Sequence, residues 1–307
     1  MRVVCRADAS HFLGAGHVMR LLTLAGVIRD HEGDALFLCR DHPGHLANLV
    51  QDHGFECLLW DRTTDNILGG DAVQDAVSTK DAAYNFGATH VFVDHYGADA
   101  LWESEQTLSV LAIEDLFTRP HACDILLNQN LGATVADYAD LVPAQTTCLI
   151  GPEYALLRPE FAQLRPAALA RQNAEVVREI LITMGGTDQP NATGWVLDSF
   201  SQMDLCPDLH LTIVMGSTAP HLAMIKAKAA TLPCRTTVLA GTSDMGALML
   251  QADFAIGAAG STSWERCALG LASINVILAD NQREIANALD KSGAAIALEM
   301  GMGATFK

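Results

Sequence analysis

The sequence predicts an α/β protein made of two successive Rossmann-like domains, each with a doubly wound parallel sheet. Short apolar runs rich in β-branched residues alternate with longer helical patterns from one end of the chain to the other, which is typical of βα units. The chain has 307 residues, which are too many for one small core and suit two domains of about 150 residues each.

Seven strand-like runs follow one another in the first half of the chain. Each is short, mostly apolar and followed by a turn residue or a helical pattern. The predicted strands are Arg2–Cys5, Ala35–Arg40, Glu56–Trp60, His90–Asp94, Val110–Glu114, Asp124–Leu127 and Thr147–Ile150.

Six further runs of the same kind lie in the second half. Several are dominated by Ile, Val and Leu without polar alternation, as expected for strands buried on both faces. The predicted strands are Glu179–Met184, His210–Met215, Thr236–Leu239, Phe254–Ile256, Ser273–Leu278 and Ala295–Leu298.

A proline-containing segment separates the two halves. Pro152, Pro159 and Pro166 are expected to interrupt regular structure, so we predict domains over residues 1–150 and 178–307 with a junction at 151–177. Ligands of open α/β sheets bind at the carboxyl ends of the strands. We therefore expect a cleft between the domains, lined by the loops that follow the strands.

Charge and composition exclude several classes of protein. Asp and Glu outnumber Lys and Arg by 36 to 19, and the net charge of −17 argues against binding to nucleic acid or to an anionic membrane. The apolar runs are shorter than the roughly 18 residues of a membrane span, and the chain starts without a signal peptide, so we expect a cytoplasmic protein. The eight cysteines form no C-x-x-C pair and there is no H-E-x-x-H motif, so we expect reduced thiols and no functional metal.

His17 is the first candidate catalytic residue. It stands between a predicted strand and a predicted helix, and Gly14 and Gly16 let the backbone before it turn tightly. The positive end of the helix dipole disfavours imidazolium, so we expect a neutral ring that accepts a proton. The alternative is an ordinary histidine at the start of a helix.

Two glycine turns in the second half are candidate sites for a diphosphate. Gly260, Ser261 and Thr262 follow the strand Phe254–Ile256 and begin a helix, whose amides suit an anion. Glu265 either completes a capping box with Thr262 or accepts hydrogen bonds from ribose hydroxyls. The second turn contains Gly185, Gly186 and Thr187 and precedes a helical pattern from Asn191.

Two known nucleotide-binding motifs are absent from the glycine turns of both halves of the sequence. The chain has no G-x-x-x-x-G-K-[ST] loop, and Met19 stands where a dinucleotide fingerprint needs a third small residue, so an NAD enzyme is a poor interpretation. Trp264 and the stretch Met245–Met249 are expected to pack as helix faces. A uracil base would be bound near Met215–Gly216 and Leu239–Gly241.

Several short motifs, in the same order along nearly the whole chain, resemble one family. They are Arg6-Ala7-Asp8-Ala9-Ser10, Gly14-x-Gly16-His17-x-x-Arg20, Val93-Asp94-His95-Tyr96, Glu114-Asp115, Leu127-Asn128-Gln129-Asn130, Gly151-Pro152-x-Tyr154-Ala155-Leu156-Leu157-Arg158-x-x-Phe161 and Gly260-Ser261-Thr262-x-x-Glu265. This set is similar to the UDP-sugar hydrolases of pseudaminic acid biosynthesis, which act on UDP-2,4-diacetamido-2,4,6-trideoxy-β-L-altropyranose and are related to GT-B glycosyltransferases.

The resemblance implies a GT-B-like fold, UDP held mainly by the C-terminal domain, and hydrolysis without metal or cofactor that releases UDP and the free sugar. The functional histidine of the family matches His17. Many relatives carry Asp-Asp where this chain has Glu114-Asp115. A terminal helix of GT-B folds is expected to be missing or cut off, because the chain stops at Phe306-Lys307 soon after its last predicted strand.

The substrate-binding candidates lie mainly in these motifs or after predicted strands. Asp94 is expected to orient an asparagine or backbone groups, with a solvated carboxylate at a strand end as the alternative. Asn281 and Gln282 are expected near the sugar or phosphate, with helix capping by Asn281 as the alternative. The full set is Arg6, Asp8, Gly14, Gly16, Arg20, Asp94, Tyr96, Asn128, Asn130, Tyr154, Asn281 and Gln282.

The expected activity is therefore attack of water on the anomeric carbon of a UDP-sugar, with inversion and with His17 as the base. A GT-B glycosyltransferase shares the nucleotide-binding half and differs in its acceptor. A third alternative is a module that binds a nucleotide sugar without catalysis. The first half carries no long apolar and basic helix of the kind that a lipid-linked acceptor needs, which favours the hydrolase.

Overall fold

The computed structural model describes residues 1–61, 72–171, 176–242 and 244–300. Within these ranges the chain divides into two compact units, Met1–Leu156 and Leu157–Lys307. Phe306 and Lys307, on which the expectation about a terminal helix rests, lie outside the described residues, as do residues 172–175 of the predicted junction.

Unit 1 contains one parallel sheet of seven strands among the described residues, in the order β3-β2-β1-β4-β5-β6-β7. The strands are β1 (Arg2–Ala7), β2 (Asp34–Arg40), β3 (Glu56–Trp60), β4 (His90–Asp94), β5 (Ser109–Ile113), β6 (Ile125–Asn128) and β7 (Thr147–Ile150). The helices are α1 (Gly16–Asp30), α2 (Ala47–Asp52), α3 (Ala72–Phe86) and α4 (Ala100–Ser104), with 3-10 turns at Val135–Tyr138 and Pro152–Tyr154.

Unit 2 contains a parallel sheet of six strands among the described residues, in the order β10-β9-β8-β11-β12-β13. The strands are β8 (Glu179–Thr183), β9 (His210–Met215), β10 (Arg235–Ala240), β11 (Phe254–Ala258), β12 (Ser273–Ile277) and β13 (Ile296–Glu299). The helices are α5 (Pro159–Arg171), α6 (Ala192–Ser201), α7 (Leu222–Ala229), α8 (Met245–Gln251), α9 (Thr262–Leu269) and α10 (Arg283–Lys291), with a 3-10 turn at Asp280–Gln282.

The prediction of two doubly wound parallel sheets is confirmed. Each strand predicted from an apolar run is present, with its ends shifted by no more than two residues. Both faces of each sheet are covered, and alternate residues of one strand enter opposite cores: Val3 and Cys5 pack on one face of the first sheet, and Val4 packs on the other. In the second sheet Ile182 and Leu181 are divided in the same way.

The expectation that prolines interrupt regular structure near the junction is wrong for two of the three. Pro159 is the first residue of α5, where its missing amide hydrogen costs nothing, and Pro166 lies inside the same helix. Phe161 on this helix is completely buried among residues of unit 2, and Ala168 is nearly so. Burial of this apolar face stabilises α5, which continues past Pro166.

Candidate active site

Each sheet reverses its strand order at one place, and the candidate residues concentrate there. In unit 1 the reversal lies between β1 and β4, which pair with Ala7 opposite Asp94. In unit 2 it lies between β8 and β11, which pair with Thr183 opposite Gly257. Loops that leave such neighbouring strands in opposite directions open a crevice, which is where doubly wound sheets bind ligands.

His17 lies in the first turn of α1, which begins at Gly16, and its side chain is buried. Its Nδ1 lies 2.5 Å from Oδ1 of Asp94, at the end of β4. A carboxylate only accepts hydrogen bonds, so the contact with Asp94 favours the tautomer with hydrogen on Nδ1, which leaves Nε2 as the acceptor. The ring of Tyr96 contacts that of His17 edge-on, with 4.7 Å between the ring centroids.

Asp94 is hydrogen-bonded to His17 and to Arg20, whereas we expected it to orient an asparagine or backbone groups. The guanidinium of Arg20 donates to it from Nε at 2.7 Å and from Nη2 at 2.8 Å. Although burial by itself raises the pKa of Asp94, Arg20 and His17 hold it well below its usual range. The alternative of a solvated strand-end carboxylate is wrong, because Asp94 is only 1% exposed.

Arg20 joins Asp94 to a second carboxylate, that of Asp115. Its Nη1 and Nη2 donate to the two oxygens of Asp115 at 2.7 and 2.8 Å. Asn130 donates to the same carboxylate at 3.4 Å, and its Oδ1 is buried without a hydrogen-bond partner. With two carboxylates on it, Arg20 is a positioning residue for Asp94 and Asp115.

Arg6 and Asp8, which we predicted to contact the sugar, form the interior of a separate ion network. Arg6 donates to both oxygens of Asp8 and of Asp75 on α3 at 2.7–3.0 Å, and Nη1 also reaches a backbone carbonyl. All five donors of this guanidinium are thus used within the protein. Asp8 also accepts from His95 Nε2 at 3.0 Å and from the amide of Arg40 at 2.8 Å. Both side chains are 1% exposed, so their role is to hold the carboxyl ends of β1 and β2.

A chain of buried groups supports the loop that carries Asp115. Glu114 accepts the amide of Asp115 at 2.8 Å, and its other oxygen accepts from Arg119 at 2.6 Å and from His121 Nε2 at 2.9 Å. His121 Nδ1 in turn contacts Glu103 on α4 at 2.7 Å. Although burial by itself lowers the pKa of His121, the two carboxylates raise it to about 9. The glutamate that distinguishes this chain from the Asp-Asp pattern is therefore the acceptor that fixes the Asp115 backbone.

The remaining candidates of unit 1 are dispersed. Asn128 is completely buried, donates to the hydroxyl of Tyr138 at 2.8 Å and accepts the amide of Asn130 at 2.8 Å, so it shapes the loop after β6. Gly14 has φ +76°, a conformation that favours glycine, and a Cβ there would meet no atom within 4 Å. Tyr154 is 39% exposed in the 3-10 turn Pro152–Tyr154, and the structure gives it no contact with the His17 group among the described residues.

In unit 2 the turns after three neighbouring strands are tied to each other. The amide of Gly216, after β9, donates to the carbonyl of Gly186 at 2.9 Å, and the amide of Gly241, after β10, donates to that of Met215 at 2.6 Å. A Cβ on Gly216 would lie 2.2 Å from the Gly186 oxygen, so the close approach of the two turns requires glycine. Gly185 and Gly186 are exposed, and a Cβ on either would meet nothing within 4 Å.

The two predicted diphosphate turns differ at the helices that follow them. The helix after Gly185, Gly186 and Thr187 begins at Ala192 with Asn191 before it, as predicted. The first amides of this helix are already taken by the carboxylate of Asp188, at 2.8 and 2.9 Å. The helix after Gly260 begins at Thr262 and has no side-chain cap. No described side chain occupies the amides of its first turn, and its role in binding a diphosphate stays a prediction.

Glu265 does not form the predicted capping box with Thr262. Its Oε1 accepts instead from Arg158 Nη2 at 3.1 Å. Burial raises the pKa of Glu265, while Arg158 opposes that shift. The ribose interpretation of Glu265 stays a prediction.

The other unit 2 candidates lie as follows. Asn281 and Gln282 end the 3-10 turn before α10, and no side chain caps that helix. Gln282 Oε1 accepts the amide of Leu278 at 3.0 Å, and its Nε2 lies 4.0 Å from the position that a Cβ on Gly260 would take, so it borders the α9 turn. Trp264 is 4% exposed and packs inside, as predicted.

One group of side chains has the spacing of metal ligands, namely Glu103, His121 and Cys123. Both nitrogens of His121 are hydrogen-bonded to carboxylates, and the second oxygen of Glu103 accepts the amide of Ala122. Burial raises the pKa of the Cys123 thiol well above its usual range, whereas a metal needs the thiolate. These groups do not fit a metal ion, because Glu103 and His121 are already hydrogen-bonded within the protein and Cys123 is held as a thiol. Among the described residues no helix is long and apolar enough to cross a membrane.

Comparison with known proteins shows both sequence and fold likeness. Over 231 residues the chain is 27% identical to the UDP-2,4-diacetamido-2,4,6-trideoxy-β-L-altropyranose hydrolase of Campylobacter jejuni, covering 74% of this chain and 73% of that protein. It resembles a UDP-sugar hydrolase. The resemblance predicted from the motifs is thus confirmed. No family model matches the chain.

Two solved structures share the fold. MurG of Acinetobacter baumannii matches with a TM-score of 0.67 and 18% identity, covering 97% of this chain and 86% of that one. The glycosyltransferase SsfS6 of Streptomyces sp. SF2575, solved with thymidine diphosphate, matches with a TM-score of 0.61 and 12% identity over 97% and 87% of the two chains. Together with the two parallel sheets, these likenesses show a GT-B-like fold.

Sequence reasoning missed the residues that hold the site together. Asp75, Glu103, His121 and Arg266 carry no local motif, and each acquires its partners only through the fold. Asp115 had a signal, because it follows a predicted strand and belongs to one of the quoted motifs.

Proposed function

We propose that this protein hydrolyses a UDP-linked diacetamido-trideoxy sugar at its anomeric carbon, releasing UDP and the free sugar with inversion and without a metal ion. The observation that carries the proposal is the pair formed by His17 and Asp94 at the strand reversal of unit 1, with 2.5 Å between Nδ1 and the carboxylate. The similarity to the Campylobacter hydrolase supplies the substrate class.

His17 acts as the general base. A water molecule attacks the anomeric carbon on the face opposite the diphosphate, and His17 Nε2 takes one proton from it. The bond between the carbon and the diphosphate oxygen breaks, and its electron pair leaves with UDP. Asp94 holds the ring in the tautomer that accepts at Nε2 and stabilises the imidazolium that forms, while Arg20 fixes the carboxylate from its other side.

Unit 2 binds the nucleotide. The uncapped N-terminus of α9 and the preceding Gly260 offer backbone amides to the diphosphate, whose negative charge grows as the bond breaks. The exposed Gly185 and Gly186 lie in the turn after the neighbouring strand, β8, and let a ligand approach the backbone closely. A nucleoside diphosphate accompanies the same fold in SsfS6, which supports this assignment.

The deciding experiment incubates the protein with a panel of UDP-sugars, without any acceptor and with EDTA, while NMR follows UDP release and the anomeric configuration of the free sugar. Hydrolysis predicts stoichiometric UDP and inverted free sugar from a diacetamido-trideoxy substrate. Replacement of His17 by Ala or Phe should abolish most turnover and keep UDP binding. Near wild-type turnover in either variant would contradict the role of His17.

A glycosyltransferase is the second candidate, because the fold is shared with SsfS6. Both activities break the same bond and differ in whether water or a hydroxyl group attacks. A transferase predicts negligible free sugar without an acceptor and UDP release that depends on one. UDP-sugar binding with no product under either condition would leave a binding module.

A further inference from the structure

Arg266 on α9 is completely buried, and no carboxylate among the described residues is hydrogen-bonded to it. Its Nη2 donates to the carbonyl of Ala258 at 2.9 Å, to Oγ of Ser263 at 3.0 Å and to Oδ1 of Asn275 at 2.7 Å, and its Nη1 donates to Oγ1 of Thr262 at 3.2 Å. All four acceptors are neutral. Among the described residues no carboxylate lies within the 4.0 Å that defines an ion pair with this guanidinium.

The other arginines at the strand reversals are paired differently. Arg6 and Arg20 each face two carboxylates at 2.7–3.0 Å, although the chain is acidic throughout. A buried charge without a counter-charge is strongly destabilising, and burial lowers the pKa of Arg266 to about 10. Nε of Arg266 is also buried without a hydrogen-bond partner. Glu265 attracts Arg266 without forming an ion pair with it, and the hydrogen-bonded partner of that carboxylate is Arg158. Among the described residues, the guanidinium of Arg266 is therefore compensated only in part.

The guanidinium lies directly against the turn that joins β11 to α9. A Cβ on Gly257 would lie 2.5 Å from Nη1, so glycine is needed for the guanidinium to approach the strand. Its contacts to Ala258 and Thr262 connect it to both ends of that turn. The turn stands at the strand reversal of unit 2, next to β8. The positive charge is thus placed beneath the backbone amides that are proposed to bind the diphosphate.

We propose that the diphosphate of the nucleotide is the missing counter-charge of Arg266, which stabilises the bound anion through the Ala258–Thr262 turn without touching it. This inference rests on the proposed function and names a binding determinant for it. The interaction is not screened by water, because the guanidinium is fully buried, and a unit charge at such depth changes anion affinity by about tenfold or more.

The sharpest test is Asn275→Asp. The side chain is 1% exposed, its Oδ1 lies 2.7 Å from Nη2 of Arg266, and its Nδ2 has no hydrogen-bond partner to lose. The substitution therefore supplies the absent carboxylate in place. We expect the free protein to melt at a higher temperature while its affinity for UDP falls about tenfold or more in isothermal titration calorimetry. Affinity for uridine, which has no phosphate, should stay unchanged.

Two further variants separate charge from structure. Asn287→Asp adds the same charge at an exposed position of α10 and should change neither affinity. Arg266→Gln should weaken UDP more than uridine, and Arg266→Lys should recover most of the UDP affinity. Should Arg266→Gln fail to fold, Asn275→Asp retains the guanidinium and its contacts and still decides the matter.

The outcomes distinguish this inference from the proposed function. Wild-type protein that binds UDP, combined with an Asn275→Asp variant that loses UDP and uridine affinity equally or loses neither, overturns the role of Arg266 alone. Wild-type protein that binds neither UDP nor inorganic pyrophosphate overturns both proposals. If UDP binding depends on Arg266 but no free sugar is released, the inference is supported and the proposed hydrolase activity is overturned.

Discussion

The coupling of His17 to Asp94 can be isolated by comparing Asp94→Asn with Asp115→Asn. Both carboxylates bind the guanidinium of Arg20 through two hydrogen bonds of 2.7 and 2.8 Å. Of the two, only Asp94 also contacts His17. The two substitutions therefore remove the same charge from the same arginine, and one of them in addition removes the partner of the imidazole.

The magnitudes follow from burial. Removal of one partner of a buried ion pair costs roughly 3–5 kcal/mol, and each variant leaves Arg20 with one carboxylate. We expect both variants to lose about 3 kcal/mol in free energy of unfolding at neutral pH. Turnover should differ, because an amide at position 94 no longer fixes the His17 tautomer or stabilises an imidazolium. We expect a further loss of about 10²–10⁴ in kcat for Asp94→Asn.

The assays are urea denaturation at pH 7 and UDP release at saturating UDP-sugar. Asp115→Asn serves as the control for lost charge and lost stability. Equal losses of kcat in the two folded variants would show that Asp94 acts on Arg20 and not on His17. An Asp94→Asn variant within about threefold of wild-type turnover would remove the proposed base–carboxylate pair altogether.

One change of pH and two substitutions test the supports of the site. The free energy of unfolding should fall by about 3 kcal/mol as the pH rises from 6.5 through 9. The pKa of His121 is higher in the folded than in the unfolded protein, so its protonation stabilises the fold at pH 6.5 and below, and this stabilisation is lost as the folded group deprotonates. Urea denaturation at pH 6.5 and 9.5 measures the change. Gly216→Ala should lower stability by about 1–3 kcal/mol and weaken UDP binding, because its Cβ would displace the Gly186 carbonyl; calorimetry measures the affinity. Arg6→Met should cost roughly 3–5 kcal/mol in urea denaturation by leaving two buried carboxylates unpaired.

The first two of these predictions have a control variant, and the third has a second measurement. His121→Gln should flatten the change between pH 6.5 and 9, and a profile identical to that of the wild type would assign the effect to other groups. Gly26→Ala places a Cβ in open space on α1 and should leave UDP affinity unchanged. Arg6→Met should change the KM for the UDP-sugar little in the folded protein. A large change in KM in a variant as stable as the wild type would instead indicate that Arg6 contacts the sugar.

The sequence was sufficient for what local patterns determine. Apolar runs located the strands because both faces of each sheet are buried, and the glycines before His17 and Thr262 marked the turns because those turns leave strand ends. The strand order was not encoded in any single run, and the partners depend on it. Arg20 meets Asp115 across 95 positions, and Arg6 meets Asp75 across 69, only because β1 lies beside β4 and α3 packs near them.

Several residues that were predicted to bind the ligand also have partners inside the protein. Polar residues after strands were read as ligand-binding groups, yet Arg6, Asp8 and Asn128 are buried and use their hydrogen-bonding capacity on each other or on the backbone. A sequence does not show whether a polar side chain at a strand end turns inward. Burial with a complete set of partners separates a structural group from one that is able to bind a ligand.

The same criterion distinguishes the buried arginines at the strand reversals of the two units. At the strand reversal of unit 1, each buried guanidinium is matched by two carboxylates, so an anionic ligand gains little attraction there. At the reversal of unit 2, Arg266 has four neutral acceptors and the helix N-terminus above it has no side-chain cap. In a chain with a net charge of −17, a buried cation without an ion pair supports the proposal that this turn attracts an anion. This difference in charge balance supports the proposal that unit 2 binds the diphosphate and that unit 1 supplies the base.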